Sequence, residues 1–425
     1  MRPIDQSSLS RREYARALVA VGGASALSAC LELGSDGADE PTVPTGTDDP
    51  ASLPERQHAW NEVLSSDDDG NVRLPDHHVL VALSLVDGVD DARETTEAAL
   101  RGLERAYEWS PEGLVFTIGY TPSYFDRFDE SIPETVDLPD PEPLAAGESP
   151  EFDEYDALVH LASDEPSVVL EAEEGLFGDR DELNGTSLET DLSSVFDRLE
   201  DRRRTGFVGE GLPAEHADVD GVPDSVPEGA PFFMGFRSGF TDSQATEDRV
   251  SIEDGPFAGG ATQHLESLSI NLEQWFDQET HYQRVSKLFS PKHAREELVG
   301  DVGEDLGATS GVTDEIIEAT AAGARNGVVG HAQKTARARQ DGEPLLLRRD
   351  FNTVDSDRPG LHFLSLQRHT EDFVRVREAM TGADLDVAQA NNGILHYLFV
   401  ERRGNYLVPP RPLRSLPPPN PDEET

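Results

Sequence analysis

The chain has 425 residues and a formal net charge of −49, from 84 acidic side chains against 35 Lys and Arg. Such an acidic excess excludes non-specific binding to nucleic-acid backbones by like-charge repulsion, and Cys30, the only cysteine, leaves the body without a disulfide, a thiolate zinc site, a blue-copper site or a cysteine nucleophile. The apolar residues fall in periodic blocks, so the chain folds despite its charge, and with Lys287, Lys292 and Lys334 as its only lysines it has the composition expected of a salt-adapted source.

In chain order, Ser10-Arg11-Arg12-Glu13-Tyr14 and the small, apolar run from Ala15 to Ala29 read as a twin-arginine (Tat) export signal, a route for folded cargo. Leu27-Ser28-Ala29-Cys30 reads as a lipoprotein box with Cys30 lipidated, the alternative being a chance cysteine in a discarded leader. Residues 1–30 are therefore assigned to the signal. The mature protein is expected on the extracellular face of the cell membrane, held by lipid at Cys30. Residues 31–70, rich in Gly, Asp, Pro and Thr, read as a flexible acidic tether.

The body follows as two α+β stretches. In residues 71–225 the run Val79–Leu85 predicts a strand, Thr95–Ala106 an amphipathic helix, Gly113–Tyr120 and Asp156–Ala162 two more strands, and Pro166–Glu174 a second helix. That order is ferredoxin-like. In residues 226–410 strands are predicted over Gln263–Leu272, Leu345–Arg349 and Gly360–Leu366, and helices over Thr313–Ala322 and Glu371–Met380. The expected architecture is two ferredoxin-like halves with antiparallel sheets, a dimeric α+β barrel-like arrangement with the functional pocket in the C-terminal half. Residues 411–425, with Pro417-Pro418-Pro419, read as a Pro-rich acidic surface tail.

Few residues carry obvious chemistry. His331, in Gly327-Val328-Val329-Gly330-His331, stands out because the Arg348-Arg349 strand follows it. His77 and His78, adjacent on a strand, point to opposite faces and make no two-ligand site. Asp67-Asp68-Asp69-Gly70 lacks the Glu that a calcium loop requires, and no Gly-x-Ser-x-Gly elbow occurs.

Five ordered segments carry a family resemblance: Gly113–Arg127, Phe233-Met234-Gly235-Phe236-Arg237-Ser238-Gly239, Gly259–Trp275, Leu346-Leu347-Arg348-Arg349 and Gly360–Arg368. Together, over roughly residues 75 to 410, they resemble the dye-decolourising (DyP-type) haem peroxidases. The resemblance implies haem b between His331 as proximal iron ligand and Arg348 as distal cation, with Arg349 the alternative if the strand register slips by one. Phe363, on the paired strand, would line the haem site. It implies hydrogen peroxide and an unknown electron donor as substrates, with Trp275, Tyr282 and Tyr397 as candidate relays, and it leaves an oligomer open. The family's distal Asp falls on Ser238, a poor base at neutral pH, with Asp242 the nearest alternative carboxylate. The family's His-x-Arg becomes His331-Ala332-Gln333, with Lys334 the nearest replacement cation. Two readings stand side by side: an exported peroxidase, and a weakened or haem-free paralogue serving in haem handling, binding or structure.

The charge generates a first prediction. Thermal stability should climb between low and multimolar KCl as screening relieves carboxylate repulsion. A melting temperature independent of salt would show that the fold neutralises its charge internally.

Overall fold

The computed structural model describes residues 42–312 and 315–421. The export signal, Cys30 and the first two residues of the helix expected from Thr313 lie outside them. The N-terminal half comprises β1 (His77–Leu85), α1 (Ala92–Ala106), β2 (Val115–Tyr120), β3 (Glu151–Phe152), β4 (Ala157–Ser163), α2 (Pro166–Leu176), the hairpin β5 (Glu182–Leu183) and β6 (Thr186–Ser187), β7 (Phe196–Arg198) and β8 (Arg204–Phe207). The C-terminal half contains β9 (Ala261–Ile270), α3 (His281–Leu288), α4 (Ile316–Arg325), α5 (His331–Ala336), β10 (Leu347–Arg348), β11 (Phe351–Thr353), β12 (Gly360–Gln367), α6 (Thr370–Thr381) and β13 (Leu398–Val408).

The strands of the first half lie in the order β8-β1-β4-β2, and those of the second in the order β11-β12-β9-β13. Numbered within each half, both read 4-1-3-2 (the second in reverse), the ferredoxin-like arrangement. Strand four of each half meets strand two of the other, β13 against β2 and β8 against β11, which closes the sheet into a barrel. Alternation then sorts the side chains. Leu80, Ala82, Leu158, Leu265, Phe351, Leu364 and Tyr406 fill the interior, and Val79, Val81 and Leu83 pack outward with Leu100 and Leu103 of α1 and Val169 of α2.

Each seam holds few backbone pairs and is completed by one buried amide. At β2/β13 only Leu407 and Tyr120 pair. There the Gln57 side chain accepts from the Ile118 N–H at 3.0 Å and donates to the Pro409 carbonyl at 2.8 Å. At β8/β11, Asn352 donates to the Phe207 carbonyl at 3.1 Å and accepts from the Phe233 N–H at 2.9 Å. Gly206 permits that approach, since a Cβ there would lie 2.2 Å from the Asn352 carbonyl oxygen.

Two expectations are corrected. From residue 42 onward, the stretch read as a flexible tether is packed on the body. Gln57, His58 and Trp60 are buried, with the Trp60 ring beneath the Arg349 guanidinium at 4.2 Å. Within this polar stretch, Gln57 satisfies backbone groups at the seam. The C-terminal tail is likewise no surface extension over residues 411–417. Arg411 and Arg414 are buried and ion-paired with Glu104 of α1. The Tyr120 and Tyr124 hydroxyls donate to the Arg414 and Pro417 carbonyls at 2.6 and 3.0 Å.

Glu104 is itself almost wholly buried and also meets Arg101. Removing one member of a buried ion cluster strands the others, so Glu104→Ala should cost about 3–5 kcal/mol. Chemical denaturation checks this, and a loss below about 1 kcal/mol would show that the cluster is idle.

Candidate active site

Outside the barrel, between the C-terminal sheet and its covering helices, lies a cavity of about 250 Å³. The sheet contributes Glu266, Leu268 and Ile270 of β9, Leu361 and Phe363 of β12, and Arg348 of β10. Helix α5 contributes His331, and α6 contributes Phe373, Arg377 and Met380. The loop before β9 adds Phe236 and Ser238.

Each polar group is positioned by its local sequence. Gly330 lets the start of α5 press against the preceding segment, where a Cβ would fall 1.8 Å from the Phe289 carbonyl oxygen. Gln333 turns back to accept from the Gly330 N–H at 3.0 Å, which fixes that first turn. His331 thereby lines the cavity, with its Nδ1 buried and without a hydrogen-bond partner. Burial, helped by the nearby cations Lys334, Arg348 and Arg377, lowers its pKa to about 3, so the ring is neutral, as a metal-binding imidazole must be.

Arg348 is held twice. Its backbone N–H donates to Gln244 Oε1 at 3.0 Å, and its Nη1 donates to Ser238 Oγ at 3.0 Å. The antiparallel register of β10 and β11 on β12 sets Arg348 opposite Ser365 and Phe351 opposite His362, which places Arg349 opposite Leu364 and Asp350 opposite Phe363. Arg348 and Asp350 therefore share the cavity face.

The structure thus brings together His331, Arg348, Ser238 and Phe363, and separates two other expected site residues from them. Arg349 points toward the barrel side. It donates to the His58 carbonyl at 2.8 Å and pairs with Glu247 at 3.1 Å, so it is not a ligand-binding residue of this cavity. Strand parity is the cause. Asp242 is exposed and does not line the cavity, because the short helical turn Thr241–Ser243 carries it to the surface. Lys334 is buried elsewhere, donating to the Asn392 carbonyl at 2.7 Å. Arg377 lines the cavity instead, with Nη1 buried and unpartnered. Trp275 and Tyr397 pack edge to face at 4.9 Å, whereas Tyr282 is exposed.

Sequence reasoning missed Asp350. It is buried, lines the cavity, has Oδ1 without a partner, and its Oδ2 lies 3.6 Å from Arg348 Nη1. Desolvation pushes its pKa up to about 6, against the opposing pull of Arg348 and of the Leu364 backbone N–H.

A family model described as a family of unknown function (DUF7405) matches residues 75–410. The chain belongs to that family. No curated protein matches this DUF7405 chain in sequence. Among solved structures, the encapsulated DyP-type peroxidase of Mycobacterium smegmatis matches with a TM-score of 0.56 and 14% identity, over 82% of this chain and 97% of that one. A DyP-type peroxidase from Cellulomonas bogoriensis matches with a TM-score of 0.52 and 19% identity, over 82% and 93%. A variant of DypB from Rhodococcus jostii RHA1, solved in complex with haem, matches with a TM-score of 0.52 and 14% identity, over 81% and 96%. The DUF7405 chain therefore has the DyP-type fold.

Three buried polar atoms without partners, His331 Nδ1, Arg377 Nη1 and Asp350 Oδ1, belong to residues lining one largely apolar cavity. A neutral imidazole, an apolar slot and flanking guanidinium groups fit an iron porphyrin with acidic side arms.

The raised affinity of Asp350 for a proton makes folding pH-dependent. A carboxyl whose folded pKa lies above its unfolded value costs stability as pH rises from 3.8 toward about 6, and the loss is complete above that. Asp350→Asn should therefore gain up to roughly 3 kcal/mol over wild type at pH 8 and much less at pH 4. Thermal melts of both proteins across this range test it, and an equal difference at both ends would contradict it.

Proposed function

We propose that the chain is a haem-binding protein that reduces hydrogen peroxide at the expense of an organic electron donor. The observation that carries this reading is His331, neutral and with its buried Nδ1 unpaired, lining the same apolar cavity as Arg348 within a DyP-type fold. His331 would hold the iron, Phe363 and its apolar neighbours would enclose the ring, and Arg377 and Arg339 would face its acidic arms. The group would be haem b, held without covalent attachment, because the body has no cysteine for a thioether link. When bound, it would supply the redox chemistry that passes two electrons from the donor to peroxide, yielding two waters. The protein's own part is to exclude bulk water and to steady negative charge on the peroxide oxygens. Arg348 remains protonated throughout, so it stabilises charge without taking a proton.

A second reading, haem binding with little turnover, is favoured by Ser238, whose hydroxyl is occupied as the acceptor of the Arg348 hydrogen bond. The paired arginines Arg11-Arg12 and Cys30 support delivery by the Tat route and a lipid anchor on the extracellular side, and the lysine-poor acidic composition supports a salt-adapted source.

Titration of the purified protein with haemin tests both readings. A Soret band saturating at one equivalent is expected, lost in His331→Ala, and the loaded wild type should consume peroxide. Wild type that develops no Soret band overturns both readings, while stable loading without peroxide consumption leaves the second.

A further inference from the structure

Peroxide reduction requires a proton to leave one peroxide oxygen and reach the other. Neither polar group expected at the distal wall moves it readily. The Ser238 hydroxyl is a poor base, and the Arg348 guanidinium stays protonated. The same wall carries one carboxylate. Strand parity places Asp350 beside Arg348, two residues on and on the same face, opposite Phe363 of β12. Its Oδ2 lies 3.6 Å from Arg348 Nη1, and its Oδ1 is buried with no partner. A buried, unpartnered carboxylate oxygen is costly to keep, and such atoms call for an explanation.

A second observation concerns access. A larger cavity, of about 920 Å³, opens on the other side of this wall. The two cavities share Phe232, Arg237, Ser238, Phe240, Arg348 and Asp350 as lining. Asp350 therefore borders both the His331 cavity and a wider, more polar space through which water and peroxide can reach it. Arg349, on the barrel side, lines only the larger cavity.

We propose that Asp350 is a catalytic residue of this site, the carboxylate that accepts and returns the peroxide proton in place of the one the resembled family carries at the position of Ser238. The proposal rests on the peroxide-reducing reading given above. Oδ1 takes one proton from the nearer peroxide oxygen and returns it to the farther one, which leaves as water when the O–O bond breaks. Arg348 stabilises the charge on that departing oxygen; an iron porphyrin held at His331 would supply the two electrons, and the organic donor would restore them. The affinity of Asp350 for a proton suits this, since burial holds its pKa at about 6, near a working pH of 7. The other charged or titratable groups facing the His331 cavity are Arg348 from its own strand, Glu266 from β9, His331 from α5, Arg377 from α6, and Arg237 and Arg339 from loops. Glu266 cannot share the role. It is committed to Arg403, and its pKa is lowered to about 2 by the His264 hydrogen bond and by Arg403 and Arg377, against its own burial.

The test compares wild type, Asp350→Asn and the double variant Asp350→Asn with Ser238→Asp, each loaded with haemin. Three readouts are taken: Soret titration, the rate of cyanide binding followed by the Soret shift, and the rate of peroxide consumption. Hydrogen cyanide must also give up a proton on binding, so its association reports a distal base without any turnover. Without haemin, the infrared difference between wild type and Asp350→Asn should show a carboxyl band titrating near pH 6. The expected result is unchanged haemin loading in Asp350→Asn, with cyanide and peroxide rates falling roughly 100-fold or more and a partial return in the double variant. Equal rates in wild type and Asp350→Asn, or no carboxyl band titrating near pH 6, overturn the proposal while haem binding stands. A wild type that takes up no haemin overturns the functional reading and this assignment with it.

Discussion

Closure of the barrel at its two seams is the constraint on which the rest of the molecule depends. Neither half presents more than a short strand edge to the other, so the joins at β2/β13 and β8/β11 hold only where a side chain supplies what the backbone ladder lacks. Gln57 does this at one seam and Asn352 at the other, each nearly or wholly buried. Asn352 also lines the His331 cavity and lies two residues beyond Asp350 on the same face. The element that closes the barrel therefore also fixes the parity of Arg348 and Asp350. A slip of one residue there would turn Arg349 into the cavity and withdraw both functional side chains.

The charge of the molecule looks different once the interior is known. Arg204, Arg349, Arg403, Arg411 and Arg414 are all buried, each beside a carboxylate such as Asp153, Glu247, Glu266 or Glu104. Guanidinium groups suit such sites because their planar fork meets carboxylates with several hydrogen bonds. In a chain with only 35 Lys and Arg, sinking these into the core leaves the surface more one-sided than the net charge implies.

Much of the fold was legible because the apolar runs from Val79, Val115, Ala157 and Gly360 are strands buried on both faces, and such strands announce themselves. The long β13 did not, because Glu401-Arg402-Arg403-Gly404-Asn405 interrupts it and reads as a loop. Only its partners, Glu266 and Glu148 for Arg403 and the Pro139 carbonyl for Asn405, show why these polar residues lie inside. β8, opened by the buried Arg204 and only four residues long, was hidden for the same reason. At the site, His331 was visible through its glycine-flanked setting and Ser238 through its loop. Asp350 was masked by the arginine pair before it, since sequence alone does not say which of three consecutive charged residues turns inward. Nor did the polar stretch around Gln57 betray a structural role, because its hydrogen-bond partners lie some sixty and three hundred and fifty residues away.

The burial of residues 411–417 against α1 and β2 bears on how the protein is made. Arg411 touches Glu104, and its backbone N–H and side chain donate to the Glu55 and Pro54 carbonyls, so both ends of the described chain meet on the N-terminal half. A ribosome releases the N-terminal half first, yet Glu104, Tyr120 and Tyr124 then lack the partners that complete their surroundings. Until residues 411–417 have emerged, Glu104 in the early half has Arg101 beside it but lacks the two arginines that complete its cluster. The final packing of this early half thus depends on a segment that follows the whole C-terminal half in the sequence.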